Sequence, residues 1–69
     1  MELKWEEGAE IRVRTGEGCV VISASRAGLL SLAEQFRALA DEKAGAHIHY
    51  DVWNSLEDGS EELVVEKTD

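Results

Sequence analysis

The one cluster in this chain whose residue types and spacing could carry chemistry is His47-Ile48-His49 with Asp51. On an extended strand a spacing of two puts both imidazoles on one face, their Cα atoms about 6.5 to 7 Å apart. Two histidines and a carboxylate are suitable ligands for Zn2+ or a non-haem iron. His-X-His on a strand is a weak metal pattern by itself, and no second Cys/His pair completes it, because Cys19 belongs to another strand. The plainer reading is an open sheet face on which the histidines meet cross-strand partners such as Glu62 or Glu66. A third use is direct contact with another protein.

Other chemistry finds less support. None of the serines sits in a Gly-X-Ser-X-Gly elbow. Cys19, followed by two valines, reads as a buried small hydrophobe rather than an activated thiol. Gly16-Glu17-Gly18 lacks the length and the Lys-Ser/Thr of a phosphate loop, and Glu17 would repel phosphate. The oxygens of Asn54-Ser55-Leu56-Glu57-Asp58-Gly59-Ser60 do not follow calcium-loop spacing; the segment reads as a turn-rich loop, with Asn54 and Asp58 bonding locally and Gly59 supplying the turn. No catalytic residue, no enzymatic activity and no cofactor are expected. Trp5 and Trp53 flank strands, so each is a candidate interface anchor as well as a candidate core residue.

The elements that must position these residues follow from periodicity. Glu10 to Thr15 alternates with period two, Ile11 and Val13 on one side and Arg12 and Arg14 on the other. After the glycine turn, Cys19-Val20-Val21-Ile22-Ser23-Ala24 is apolar and β-branched and suits a more central strand. Leu3 to Glu6 could extend the first strand or pair separately. From Arg26 to about Lys43 the period changes: Leu29, Leu32, Ala33, Phe36, Leu39 and Ala40 form the stripe of an amphipathic helix, with Gln35 mainly on the polar side. Ser25 is its candidate N-cap and Gly45 its stop. Gly28 costs up to about 1 kcal/mol there relative to alanine, which a close approach of the first turn to the sheet would explain. Ala46 to Val52 alternates again, and Glu61 to Lys67 closes the chain with Leu63 and Val65 inward. The order ββαββ predicts an α+β two-layer sandwich, one helix packed on a mainly antiparallel four-stranded sheet. The opposite sheet face, with Arg12, Arg14, His47, His49 and Asp51, is left open.

Composition sets the bounds. Sixty-nine residues, 43% of them hydrophobic, suffice for a single domain spanning 1–69 with a core from about 9 to 67. One cysteine cannot form an internal disulfide. No apolar run is long enough to span a bilayer and the first residues do not resemble a signal peptide, so a cytoplasmic location is expected. Fifteen acids against seven scattered bases leave a net charge of -8, which argues against binding nucleic acid or an anionic membrane and favours a basic partner. Seven of the acids fall between Asp51 and Asp69, opposed by Lys67 alone.

Gly28-Leu29-Leu30-Ser31-Leu32-Ala33, then Ala46-His47-Ile48-His49-Tyr50-Asp51, then Asn54 to Ser60 and Glu62 to Lys67 together resemble the immunity-protein-32 family of bacterial polymorphic toxin systems. The likeness runs from roughly Ile11 to Lys67. It implies a small α+β immunity protein, and the leading expectation is that it neutralises a cognate toxin by direct binding, without catalysis. The expected interface comprises His47, His49, Asp51, Trp53, Glu57, Asp58, Glu61 and Glu62, set against a basic toxin domain. The alternatives are a metal-binding module using His47, His49 and Asp51, and a structural homodimer joined through the open sheet face.

Overall fold

The computed structural model describes residues 2–69. Its elements run β1 (Ile11–Gly16), β2 (Cys19–Ala24), α1 (Arg26–Ala40), β3 (His47–Tyr50) and β4 (Leu63–Glu66), the ββαββ order of an α+β fold. Glu17 and Gly18 join β1 to β2, both with positive φ, 51° and 78°. That is the backbone of a tight type I′ hairpin turn, whose twist matches the strands it connects.

Ser25 starts α1 and ties to it the stretch that leads into β1. Its hydroxyl accepts from the N–H of Gly28 and the N–H of Glu10 and donates to the Gly8 carbonyl, each at 3.0 Å. Gly28 lies where the helix meets the strands: a Cβ there would stand 2.7 Å from the Glu10 carbonyl oxygen and 3.0 Å from Ile11 Cγ1. The close approach explains why a poor helix former occupies the first turn. The helix ends at Ala40 with Asp41 as its C-cap, earlier than the apolar periodicity suggests.

The buried row of α1 is Gly28, Ser31, Leu32, Gln35 and Leu39, which turns the helix away from the stripe read off the sequence. Leu29 and Ala33 consequently face outward, and Phe36 lies at the margin, partly exposed and packed edge to face on Tyr50. Ser31 and Gln35 take the inner places because residues 2–6, which form no strand, run beside the helix with backbone groups that need partners. The Ser31 hydroxyl accepts from Glu6 N–H at 2.9 Å, and Gln35 Nε2 donates to the Lys4 carbonyl at 2.9 Å. Gln35 Oε1 accepts the Tyr50 hydroxyl proton at 2.7 Å. Among the described residues no buried side-chain nitrogen or oxygen lacks a partner, as a small core requires. Ile11, Val13, Leu32, Leu39, Ile48, Tyr50 and Leu56 form that core, with Leu3, Trp5, Leu63 and Val65 packed against it.

The four strands make two antiparallel pairs, β1–β2 and β3–β4, rather than one continuous four-stranded sheet. The segment 57–61 is the reason. It runs beside β1 in the same direction, with Glu57 N–H on the Ile11 carbonyl and Glu61 N–H on the Val13 carbonyl. Four steps of chain therefore lie opposite two, a bulge that breaks the ladder. The Ser60 hydroxyl accepts from Val13 N–H at 3.1 Å where a strand would offer a carbonyl, and Arg12 Nη1 donates to the Asp58 carbonyl at 3.0 Å. The chain then continues into β4, so the two sheets are joined by an irregular seam. Because inward residues of both pack with α1, their outer faces lie on the same far side.

Candidate functional site

Alternation along β3 places Ile48 and Tyr50 inside and His47 and His49 outside. The register sets His47 opposite Glu66 and His49 opposite Val64, so the outward face of this sheet carries two imidazoles, a valine and carboxylates. The imidazoles sit edge to face with centroids 4.9 Å apart. His49 Nδ1 lies 3.3 Å from Glu62 Oε2, and His47 Nδ1 lies 3.0 Å from the Gly45 carbonyl oxygen. Of the two cross-strand carboxylates expected beside these histidines, Glu62 makes the bond and Glu66 stands opposite His47.

Asp51 does not share that face. β3 ends at Tyr50, and the Asp51 carboxylate turns back on its own loop, accepting from Trp53 N–H at 2.9 Å and Asn54 N–H at 3.1 Å. The Asn54 amide answers it: Oδ1 accepts from Asp51 N–H at 3.2 Å and also bonds the Ser55 hydroxyl, while Nδ2 donates to the His49 carbonyl at 3.1 Å. Asp51 is thus an Asx-turn residue. Among the described residues, no group of three His, Cys, Asp or Glu side chains is placed to hold a metal ion. The structure brings the two histidines together and keeps the expected third ligand away from them.

This reciprocal bonding holds Trp53 in the open, 92% exposed. Val52 is exposed as well because the strand has already ended. Asp58, Glu61 and Glu62 are exposed and Glu57 is half-buried. Asp58 contributes its carbonyl, to Arg12, rather than a local side-chain bond. The acidic segment 51–62 is accordingly fastened at three places: to its own turn, to the β1 backbone and to the Arg12 guanidinium. A shallow open hollow of about 500 Å3 flanks the histidine strand, lined by Leu3, Lys43, Ala46, His47, Ile48 and His49.

Sequence reasoning missed two contributors. Val64 stands exposed beside His49, and its outward position was implicit in the inward placement of Leu63 and Val65. Arg12 was read as an open-face residue, whereas its hydrogen bond to a residue 46 positions away leaves no local pattern. Cys19, expected to be buried, is exposed, its thiol 3.3 Å from the Gly16 carbonyl. No helix is long and apolar enough to cross a membrane among the described residues.

Comparison with known proteins found no matching curated protein and no matching solved structure. One family model does match, that of Immunity protein 32, over residues 20–68. The match takes in most of β2, all of α1, the histidine strand, the acidic loop and β4, and on that extent the chain belongs to the Immunity protein 32 family.

Proposed function

We propose that this protein neutralises a cognate bacterial toxin in the cytoplasm by binding it directly, without catalysis, covering the toxin's active site or substrate groove. Membership of an immunity family supports a toxin-neutralising role. The observation that carries the direct-binding reading is Trp53, 92% exposed on a loop pinned by the Asp51–Asn54 bonds. The backbone that carries it is already ordered by these bonds, and a large aromatic is the residue type most often found at the centre of an interface. Asp51, Glu57, Asp58, Glu61 and Glu62 give the same segment its negative charge, and the bond from Glu62 to His49 continues it onto β3. Such a surface suits a basic toxin domain, with the acids speeding encounter and the tryptophan slowing release.

The test first captures the toxin from lysate of the source organism with the tagged protein as bait, then measures its binding by calorimetry and by growth rescue on co-expression. Trp53→Ala leaves the thermal midpoint nearly unchanged and weakens binding by about 30-fold or more, as removal of an interface anchor does. Full affinity in that variant would remove the loop from the interface.

A further inference from the structure

Cys19-Val20-Val21-Ile22-Ser23-Ala24 contains no charge and no proline, a composition suited to a strand with neighbours on both sides. The fold puts it at an edge. β1 occupies one side of β2, and among the described residues no backbone group bonds the other. The bond from Ser25 N–H to the Glu10 carbonyl sets the phase of the β1–β2 ladder. By alternation Cys19, Val21 and Ser23 aim their backbone groups at β1, and Val20, Ile22 and Ala24 aim theirs into solvent. Natural edge strands protect such groups with lysine, proline or a bulge; β2 has none of these.

The side chains agree. Val20 and Ile22 lie on the inner face, opposite Thr15 and Val13 in the register, yet are 61% and 39% exposed because the helix does not reach over them. Leu29 is 54% exposed immediately after Gly28, the residue that packs on Ala24. This flank lies on the opposite side of the helix from Ser31, where residues 2–6 run. Free backbone groups and uncovered apolar side chains therefore coincide at a single edge.

We propose that β2 is the two-fold interface of a homodimer, pairing antiparallel with β2 of a second copy about Val21. The outward backbone groups call for a strand, and this strand is complementary to itself. Centred on Val21, Val20 meets Ile22 of the second copy as a hydrogen-bonded pair, and Val21 meets its own equivalent at a non-hydrogen-bonded position. Glu17 falls opposite Ser25, so no like charges face each other despite the net charge of -8. Val20, Val21, Ile22 and Leu29 expose on the order of 300 Å2 per copy, which with backbone and rim brings the pair towards the roughly 1,000 Å2 that a specific interface needs. Pairing by the edge leaves the outer faces and the 51–62 loop uncovered.

Sedimentation equilibrium from about 1 μM to about 500 μM tests this, since dimerisation is concentration-dependent. The mass of the wild-type protein rises from 7.6 kDa towards twice that value. Val20→Lys, at a largely exposed position, keeps the far-ultraviolet spectrum and weakens the dimer by about 100-fold through like charges brought together. Independently, Cys19→Ser/Val21→Cys cross-links under mild oxidation, because facing residues at a non-hydrogen-bonded position have Cα atoms about 4.5 Å apart; Cys19→Ser/Val64→Cys does not. A wild-type protein that stays at 7.6 kDa throughout overturns the proposal. So does a dimer that survives Val20→Lys, or a failure of the residue-21 variant to cross-link.

Discussion

Tyr50 shows how much one residue can hold in a core this small. It is fully buried, between the rings of Trp5 and Phe36, whose centroids lie 6.1 and 6.4 Å away in edge-to-face arrangements. Its hydroxyl ends on Gln35, and burial pushes its pKa up from 10.0 to about 12. A raised folded-state pKa means that the folded chain keeps the proton more tightly than the unfolded one. The associated stability is present in full below pH 10 and is lost as pH rises towards 12, in all about 2 to 3 kcal/mol. Urea unfolding at pH 7 and at pH 11 will show about half of that loss, about 1.4 kcal/mol, in the wild type. Tyr50→Phe strands the Gln35 carbonyl oxygen, costs about 1 to 3 kcal/mol at pH 7, and removes the alkaline decline. A decline of unchanged depth in Tyr50→Phe would assign it to other groups.

At the scale of elements, the seam between the two sheets distinguishes this fold from a simple four-stranded sandwich. A regular fourth strand beside β1 would satisfy Val13 through a main-chain carbonyl. Here the bulge at Asp58-Gly59-Ser60 removes that carbonyl and the Ser60 hydroxyl replaces it. Ser60→Ala leaves a part-buried N–H unpaired and is expected to cost about 1 to 2 kcal/mol, with faster hydrogen exchange at the Val13 amide. Retained protection of that amide together with wild-type stability would mean that the seam is held without the serine. The same bulge has a functional side: it leaves the Asp58 and Glu61 side chains exposed while both ends of the segment stay fastened to β1.

For the whole molecule the governing quantity is charge. Seven of the fifteen carboxylates fall in the last third of the chain, five of them on the 51–62 segment that carries Trp53. Reversing Glu57 and Asp58 to lysine is expected to lower the association rate with a basic toxin domain about tenfold at low ionic strength and to flatten its salt dependence. Stopped-flow measurements at several salt concentrations read both effects, and unchanged rates would exclude steering by this loop. The dissociation rate should move little, because these groups act before contact while Trp53 acts within it.

Strand and helix identities were legible because they depend on local periodicity: period two in Ile11–Val13 and Ile48–Tyr50, turn chemistry at Glu17-Gly18, and the Ser25 cap all act within a few residues. The outward pairing of His47 and His49 followed from that same alternation. What lay beyond local pattern was decided by contacts between distant segments. Gln35 is buried because Tyr50 and the Lys4 carbonyl both need it, so the helix turns away from its most apolar stripe. Asp51 leaves the histidine face because its carboxylate is drawn to the backbone of the next turn. The sequence alone determined a small acidic α+β chain with a helix between two strand pairs, since hydrophobic period and charge are properties of neighbours along the chain. Only the tertiary structure decided that the strands form two sheets, that β2 lies bare at an edge and that Trp53 stands in solvent. Each of these depends on which backbone groups and buried polar atoms found partners across the fold.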